Sequence, residues 1–222
     1  MRLIHTVFEP HGHGPHPTAF ALHGWGANAL DLLGLAPYLC SGRLLTVCPQ
    51  GPVETPIGPG AVGYGWFPLT MGGPPDMAAI LSAGDELKAF VDSCLSRYPI
   101  DPKRLIVLGF SQGAVMAYTL ALANPDRFTA LVALSSWLPK ELLDLFSLGI
   151  TDARFPTLVQ HGSRDQLIAV DRARESVENL RAVRVPVTYR EYDMGHEINP
   201  RSLHDLSGWL EEKVLSPIVV PQ

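Results

Sequence analysis

Three residues of this chain have the types and spacing for nucleophilic catalysis: Ser111, Asp165 and His196. Ser111 stands in Gly109-Phe110-Ser111-Gln112-Gly113, a GxSxG pentapeptide, behind the apolar run Leu105-Ile106-Val107-Leu108 and ahead of the small-residue-rich stretch Gln112 to Ala123. A strand that passes into a helix through a glycine-flanked serine makes a nucleophile elbow. The sharp turn lifts the hydroxyl clear of the sheet, and the glycines let strand and helix approach each other. A serine hydroxyl attacks poorly at neutral pH, so it needs a base, and the base needs an orienting carboxylate. After an elbow of this kind the partners follow in the chain order Ser, acid, His. Asp165 fits the acid, just beyond Thr157-Leu158-Val159-Gln160 and the turn His161-Gly162-Ser163-Arg164. His196 fits the base, in Met194-Gly195-His196-Glu197 between the strand-like run Val187 to Tyr192 and a closing helix. The chemistry is acyl transfer through an acyl-enzyme, and its rate is expected to fall on acidification between roughly pH 8 and 5 as the base takes a proton.

Such chemistry also needs hydrogen-bond donors aimed at the tetrahedral oxyanion. One is the backbone N–H of Gln112, the residue after the nucleophile. The second is expected from His23-Gly24-Trp25-Gly26, with the N–H of Trp25 as candidate. Rival residues fit less well. Asp152 and Asp171 lie off the expected strand end, and Asp171 reads as a first-turn helix residue favoured by the macrodipole. Asp193 lies on the histidine's own loop, His204 inside the last helix, and His161 in a turn where it serves local hydrogen bonding. His11, His13 and His16 sit in a Gly/Pro-rich tract without nearby carboxylates or thiolates, so no metal site is expected. A phosphate-cradling glycine loop is absent too.

The elements that position these residues read as α/β, with short apolar runs alternating with amphipathic ones. Strands are expected at Thr18 to Leu22, Leu44 to Val47, Leu105 to Leu108, Ala130 to Leu134, Thr157 to Gln160 and Val187 to Tyr192. Helices are expected at Ala29 to Leu39, Met77 to Arg97, Gln112 to Ala123, Val170 to Val183 and Pro200 to Val214. Pro49 to Pro75 is dense in Gly and Pro and carries Tyr64, Trp66, Phe67 and Leu69. A loop of this length is functional or disordered, and its aromatics speak against disorder. It reads as a pocket wall.

Composition sets the bounds. The chain has 222 residues, 46% of them hydrophobic and 18% charged, with a net charge of −5. That excludes a disordered chain and gives no basic surface for nucleic acid. Nothing marks a boundary, so residues 1–222 read as a single domain. Cys40, Cys48 and Cys94 are too few and too scattered for a disulfide framework or a metal knuckle. The N-terminus lacks a signal-peptide pattern, and no apolar stretch reaches the roughly 20 residues of a membrane span. A cytoplasmic protein without cofactor or stable membrane association, monomeric or homodimeric, is the expectation.

Six segments together resemble the phospholipase/carboxylesterase family, which includes bacterial carboxylesterases and acyl-protein thioesterases. They are Leu22-His23-Gly24-Trp25-Gly26, Gly65-Trp66-Phe67, Leu108-Gly109-Phe110-Ser111-Gln112-Gly113, Leu134-Ser135-Ser136-Trp137-Leu138-Pro139, Gln160-His161-Gly162 with Asp165, and Met194-Gly195-His196-Glu197-Ile198. The resemblance implies an α/β-hydrolase fold, with a mostly parallel central sheet, helices on both faces and no large cap domain. It implies metal-independent hydrolysis of esters or thioesters, with Ser111, Asp165 and His196 as triad and Trp25 and Gln112 at the oxyanion. It also implies that Trp66, Phe67, Trp137 and Leu138 flank the acyl site. The chain departs from the family at Gln166, where many relatives have proline, at Ala114, where a second glycine is common, and at Trp25, where several have leucine. A bulky Trp25 would narrow the pocket. The expected activity is therefore a serine carboxylesterase for small, short- to medium-chain esters. The alternative is an acyl-protein thioesterase or lysophospholipase for longer chains, and the remote one is a silent binding protein on the same scaffold.

Overall fold

The computed structural model describes residues 3–69, 73–146 and 155–216. In chain order the elements are β1 (His5–Phe8), β2 (His16–Leu22), β3 (Leu45–Pro49), β4 (Val53–Gly58), β5 (Ala61–Gly65), α1 (Met77–Leu95), β6 (Ile100–Phe110), α2 (Gln112–Ala123), β7 (Ala130–Leu134), α3 (Lys140–Phe146), β8 (Thr157–Gly162), α4 (Val170–Ala182), β9 (Val187–Tyr192) and α5 (Pro200–Leu210). A seven-stranded sheet runs β1-β3-β2-β6-β7-β8-β9, and β4 pairs with β5 as a separate hairpin. Only β1 is antiparallel to its neighbour; the other sheet contacts are parallel. This is the α/β-hydrolase architecture, with no large cap among the described residues.

Alternation along the strands divides the core. In β2, Phe20 and Leu22 join α1, α2, α3 and α4 on one face, while Ala19 and Ala21 face α5 and the short 3-10 turns at Leu32–Leu35 and Leu39–Gly42. The central strands are covered on both faces, which is why they read as unbroken apolar runs. Helix α2 is buried on almost every side, from Gln112 to Leu122, so its sequence is apolar all round rather than striped.

The connectivity locates the site. From β2 the chain winds outward to β3 and then returns to the other side of β2 as β6. Ligands of open parallel sheets bind outside the carboxyl ends of the strands where the winding reverses. Here that crevice lies between the ends of β2 and β6, from which His23–Gly26 and Ser111 emerge.

Several elements differ from the sequence expectation. The helix expected over Ala29 to Leu39 is instead two short 3-10 turns, because Gly34 weakens the segment and Pro37 removes a backbone donor. The Pro49 to Pro75 loop contains the β4–β5 hairpin, whose exposed, Gly- and Pro-interrupted strands lack an apolar alternation. Strand β6 starts at Ile100, before the turn expected at Asp101-Pro102-Lys103. That turn survives as a register shift against β2, with the Lys103 N–H donating to Asp101 Oδ1 at 2.9 Å. Strand β1 and helix α3 were not expected, and α5 passes into a π-turn over Glu211–Leu215.

Candidate active site

At the elbow, Ser111 takes φ +53° and ψ −119°, a region that non-glycine residues rarely occupy and that costs about 1–3 kcal/mol. Close packing holds it there. A Cβ on Gly109 would lie 2.2 Å from the Gly113 carbonyl oxygen, and one on Gly113 would lie 2.0 Å from that of Leu22. The turn is tied to β7 by the Ser111 N–H, which donates to the Leu134 carbonyl at 2.9 Å. The Ser136 hydroxyl donates to the Ser111 carbonyl at 2.7 Å.

Asp165 is buried directly after β8, its side chain fully enclosed. Its Oδ1 accepts the N–H groups of Leu167 and Ile168, each at 2.9 Å. Its Oδ2 lies 2.8 Å from His196 Nδ1, which therefore carries the proton that is donated. Burial alone would raise the carboxyl pKa, but the Ile168 N–H, the His196 ring and the Leu167 N–H outweigh it and hold the group below its ordinary value. The loops carrying the two residues are laced together: Ser163 N–H donates to the Tyr192 carbonyl at 2.8 Å and Arg164 N–H to that of Met194 at 3.1 Å. Asn199 then caps α5 through a reciprocal pair with Ser202, which fixes the exit of the histidine loop.

The His196 ring packs against Phe110, the residue before Ser111, at 4.9 Å between centroids. The Ser135 hydroxyl reaches the Glu197 carbonyl at 3.4 Å, so consecutive serines bridge the histidine loop and the elbow. No hydrogen bond closes the Ser111–His196 pair among the described residues; such contacts commonly tighten only when substrate binds.

On the other side of the crevice, Gly24 approaches Ser111 so closely that an added Cβ would lie 3.3 Å from the serine's Cβ. The loop is braced by the hairpin, with Gly26 N–H donating to the Tyr64 carbonyl and Tyr64 N–H to that of Ala27. The N–H of Trp25 has no acceptor among the described residues. His23 is locked as a neutral donor–acceptor. Its Nδ1–H donates to the Gly24 carbonyl at 2.7 Å, and its Nε2 accepts from the Gly51 N–H at 3.0 Å. Burial lowers its pKa despite that carbonyl and the charge of Asp31.

Trp66 and Phe67, expected in the pocket wall, are instead core residues, each only 2% exposed. Two large aromatic rings on a long loop gain more from burial than from lining a wet crevice. The Trp66 indole N–H donates to the His23 carbonyl at 2.8 Å. Its backbone N–H donates to Gln112 Oε1 at 2.8 Å, and Gln112 Nε2 donates to the Phe67 carbonyl at 2.7 Å. The pair thus underpins the loop of Trp25 from below. Gln112, expected only for its main-chain N–H, also acts through its side chain. Of the other two expected pocket residues, Leu138 is buried, and half-exposed Trp137 has the Arg172 guanidinium 4.5 Å above its ring. Both line a hollow of about 290 Å³ next to Pro139 and Arg172.

The rival acids are occupied elsewhere. Asp193 is exposed and pairs with Arg164, and Asp171 pairs with Arg174 in the first turn of α4. Asp152 lies outside the described residues. His204 lies within α5. No group of three or more His, Cys, Asp or Glu is placed to hold a metal ion among the described residues, and no described helix is long and apolar enough to cross a membrane.

A profile of the phospholipase/carboxylesterase family matches residues 5–214. The chain belongs to that family. It is a carboxylic ester hydrolase, an esterase or thioesterase. Among curated relatives, acyl-protein thioesterase 1 of Mycosarcoma maydis is 26% identical over 96% of this chain and 99% of its own length. A probable carboxylesterase, SOBER1-like, of Arabidopsis thaliana is 27% identical over 78% of this chain and 67% of its own. The solved structure of esterase PE8 superposes with a TM-score of 0.84, at 24% identity, covering 96% of this chain and all of that one. At that identity the likeness speaks for the fold. In this phospholipase/carboxylesterase-family chain, Trp25 of the loop after β2 packs where a Cβ on Gly65 would meet its ring at 2.2 Å.

Proposed function

We propose that this chain is a serine carboxylesterase for small, short- to medium-chain esters, with Ser111 as nucleophile, His196 as base and Asp165 as its orienting acid. The single observation that carries this reading is the 2.8 Å hydrogen bond from His196 Nδ1 to a buried, fully ligated Asp165, beside a serine held at a strained elbow. A carboxylate at Nδ1 leaves Nε2 as the basic nitrogen.

In this mechanism His196 Nε2 takes the proton of Ser111 as Oγ attacks the carbonyl carbon. The tetrahedral oxyanion is met by the N–H groups of Gln112 and Trp25. The protonated imidazole gives its proton to the leaving alcohol as the C–O bond breaks. A water molecule then repeats the cycle in reverse, releasing the acid and restoring the serine. Trp137 and Leu138 supply the apolar wall for the acyl chain, and Trp66 and Phe67 act indirectly by supporting the oxyanion loop. The bulky Trp25 ring, packed against Gly65 on the loop facing Ser111, narrows the crevice and supports a small substrate. The substrate is met in solution, by a monomer or a homodimer, with no nucleic acid or stable membrane contact involved.

A thioesterase for longer acyl chains is the second reading, favoured by the full-length similarity to an acyl-protein thioesterase. Initial rates on p-nitrophenyl esters from acetate to palmitate, with Ser111→Ala as control, test both. The proposal expects an optimum at short chains and a loss on the order of 10⁶ in the control, as in the subtilisin precedent. An optimum at palmitate would move the thioesterase forward. Equal rates in the Ser111→Ala protein would sink the nucleophile.

A further inference from the structure

His161 lies four residues before Asp165 in the β8 turn, with no exposed surface at all. Its Nε2 is 2.8 Å from the Ile168 carbonyl oxygen and 3.3 Å from Asp165 Oδ2. Both neighbours accept and neither donates, so Nε2 must carry a proton. Its Nδ1 is buried with no partner among the described residues. A doubly protonated ring would leave a charged N–H stranded there, whereas a neutral ring leaves only an unused lone pair, which is far cheaper to bury. Burial accordingly lowers the His161 pKa, against the opposing pull of the Ile168 carbonyl and Asp165. The other charged or titratable groups facing it are His196 and Glu191, the latter opposite it on β9 and paired with Arg174.

We propose that His161 is a positioning residue for the acid: its Nε2–H, donated to the Ile168 carbonyl with the ring nitrogen 3.3 Å from Asp165 Oδ2, pins the turn whose Ile168 N–H holds the carboxylate in the orientation that receives His196. Two backbone N–H groups take Asp165 Oδ1 and the His196 imidazole takes Oδ2. The His161 ring lies against Oδ2 and fixes Ile168 through its carbonyl, so the carboxylate has little room to swing away from His196 during the proton transfer. The orphaned Nδ1 is intelligible on this basis. The turn tolerates an unused buried acceptor in order to present a single fixed donor on the opposite side of the ring. This role rests on the assignment of Asp165 and His196 as acid and base.

The experiment is a double-mutant cycle in the full chain, with His161→Leu, Asp165→Asn and the pair, read as kcat, KM and the pH dependence of kcat/KM on a p-nitrophenyl ester. His161→Gln, whose amide N–H reaches a position similar to Nε2–H, serves as the conservative variant. His161→Leu is expected to lower kcat by roughly two- to tenfold with KM nearly unchanged, the range of one neutral hydrogen bond. It should also move the acid limb of the profile to higher pH, because a carboxylate whose Ile168 N–H donor is loosened holds the proton on His196 more tightly. His161→Gln should recover most of the rate. In the Asp165→Asn background the His161→Leu change should have little further effect. Full additivity of the two substitutions, or a lowered melting temperature with an unshifted pH profile, would reduce His161 to a purely structural residue. If Asp165→Asn itself left kcat intact, the triad assignment would fail instead, and the two failures are distinguishable. If His161→Leu does not fold, the His161→Gln profile decides: an unchanged rate and acid limb support the proposal, and a rate as low as that of Asp165→Asn overturns it.

Discussion

The side of the crevice around Asp165 and His196, the proposed acid and base, and the side around Trp25, the proposed oxyanion side, are assembled over different distances along the chain. Around Asp165 the contacts are local, with His161, Leu167 and Ile168 within four residues and only His196 arriving from afar. Around Trp25 they are long-range. The His23 ring meets Gly51, the Trp66 indole meets the His23 carbonyl, and the Gln112 side chain ties Trp66 and Phe67 to the start of α2. One side holds a charge by saturating it with donors. The other fastens three separate segments beneath the Trp25 N–H, which has no acceptor among the described residues. The difference suggests that damage to the first side should appear mainly in the chemistry, and damage to the second in both stability and rate.

The largest expected effect breaks the acid side. Asp165→Asn should lower kcat by about 10⁴, the loss seen when a triad aspartate becomes an amide, while the melting temperature changes little. Steady-state kinetics paired with a thermal melt checks this, and a loss of less than tenfold would mean that the carboxylate does not orient the base.

Next comes the oxyanion side. Gln112→Ala leaves the buried Trp66 N–H and Phe67 carbonyl without partners, at about 1–3 kcal/mol for each. Denaturant unfolding should show most of that loss, and kcat should fall less than in Asp165→Asn. A variant as stable as the wild type would mean that the hairpin holds the loop without this side chain.

Acidification compares the two sides directly, since each contains one buried neutral histidine, His23 or His161, with its pKa lowered by burial from an ordinary 6.5. The unfolded chain takes up these protons first, so their contribution is complete above about pH 6.5 and declines as the pH falls toward the lower folded values. Asp165 behaves as a depressed carboxyl. Its contribution is complete above the ordinary value of 3.8 and is lost only as the pH drops through the lower folded one. Melting temperatures measured from roughly pH 7.5 to 5 should therefore decline in the wild type, and less steeply in His161→Gln. A flat wild-type curve would contradict the neutral, buried assignment of both rings.

The smallest effect concerns selectivity. Trp25→Leu removes the ring lying against Gly65 and should shift the acyl-chain optimum toward longer esters, mostly through KM. An unchanged chain-length profile would show that Trp25 does not limit the acyl pocket.

The same contrast explains what was legible in the sequence. The elbow, the strand ends that carry Asp165 and His196, and the apolar core strands follow from short-range pattern, because each is specified by residues within one element or turn. The β4–β5 hairpin escaped, since its half-exposed strands are broken by Pro56, Gly58 and Gly63 and carry no strong period. Trp66 and Phe67 read from the sequence as pocket-wall residues, and the structure buries them instead. Their burial beneath the Trp25 loop depends on a partner, Gln112, that lies 45 or more residues away. His161 was legible as a loop hydrogen-bonder, but its 3.3 Å approach to Asp165 emerges only when the chain after β8 folds that residue back over it.

The most direct test of the central claim is covalent trapping of the nucleophile with a fluorophosphonate, read by intact mass and peptide mapping. The account predicts one adduct per chain, on Ser111, absent in Ser111→Ala and formed far more slowly in His196→Ala. No adduct on well-folded protein, or an adduct on another residue, would contradict it.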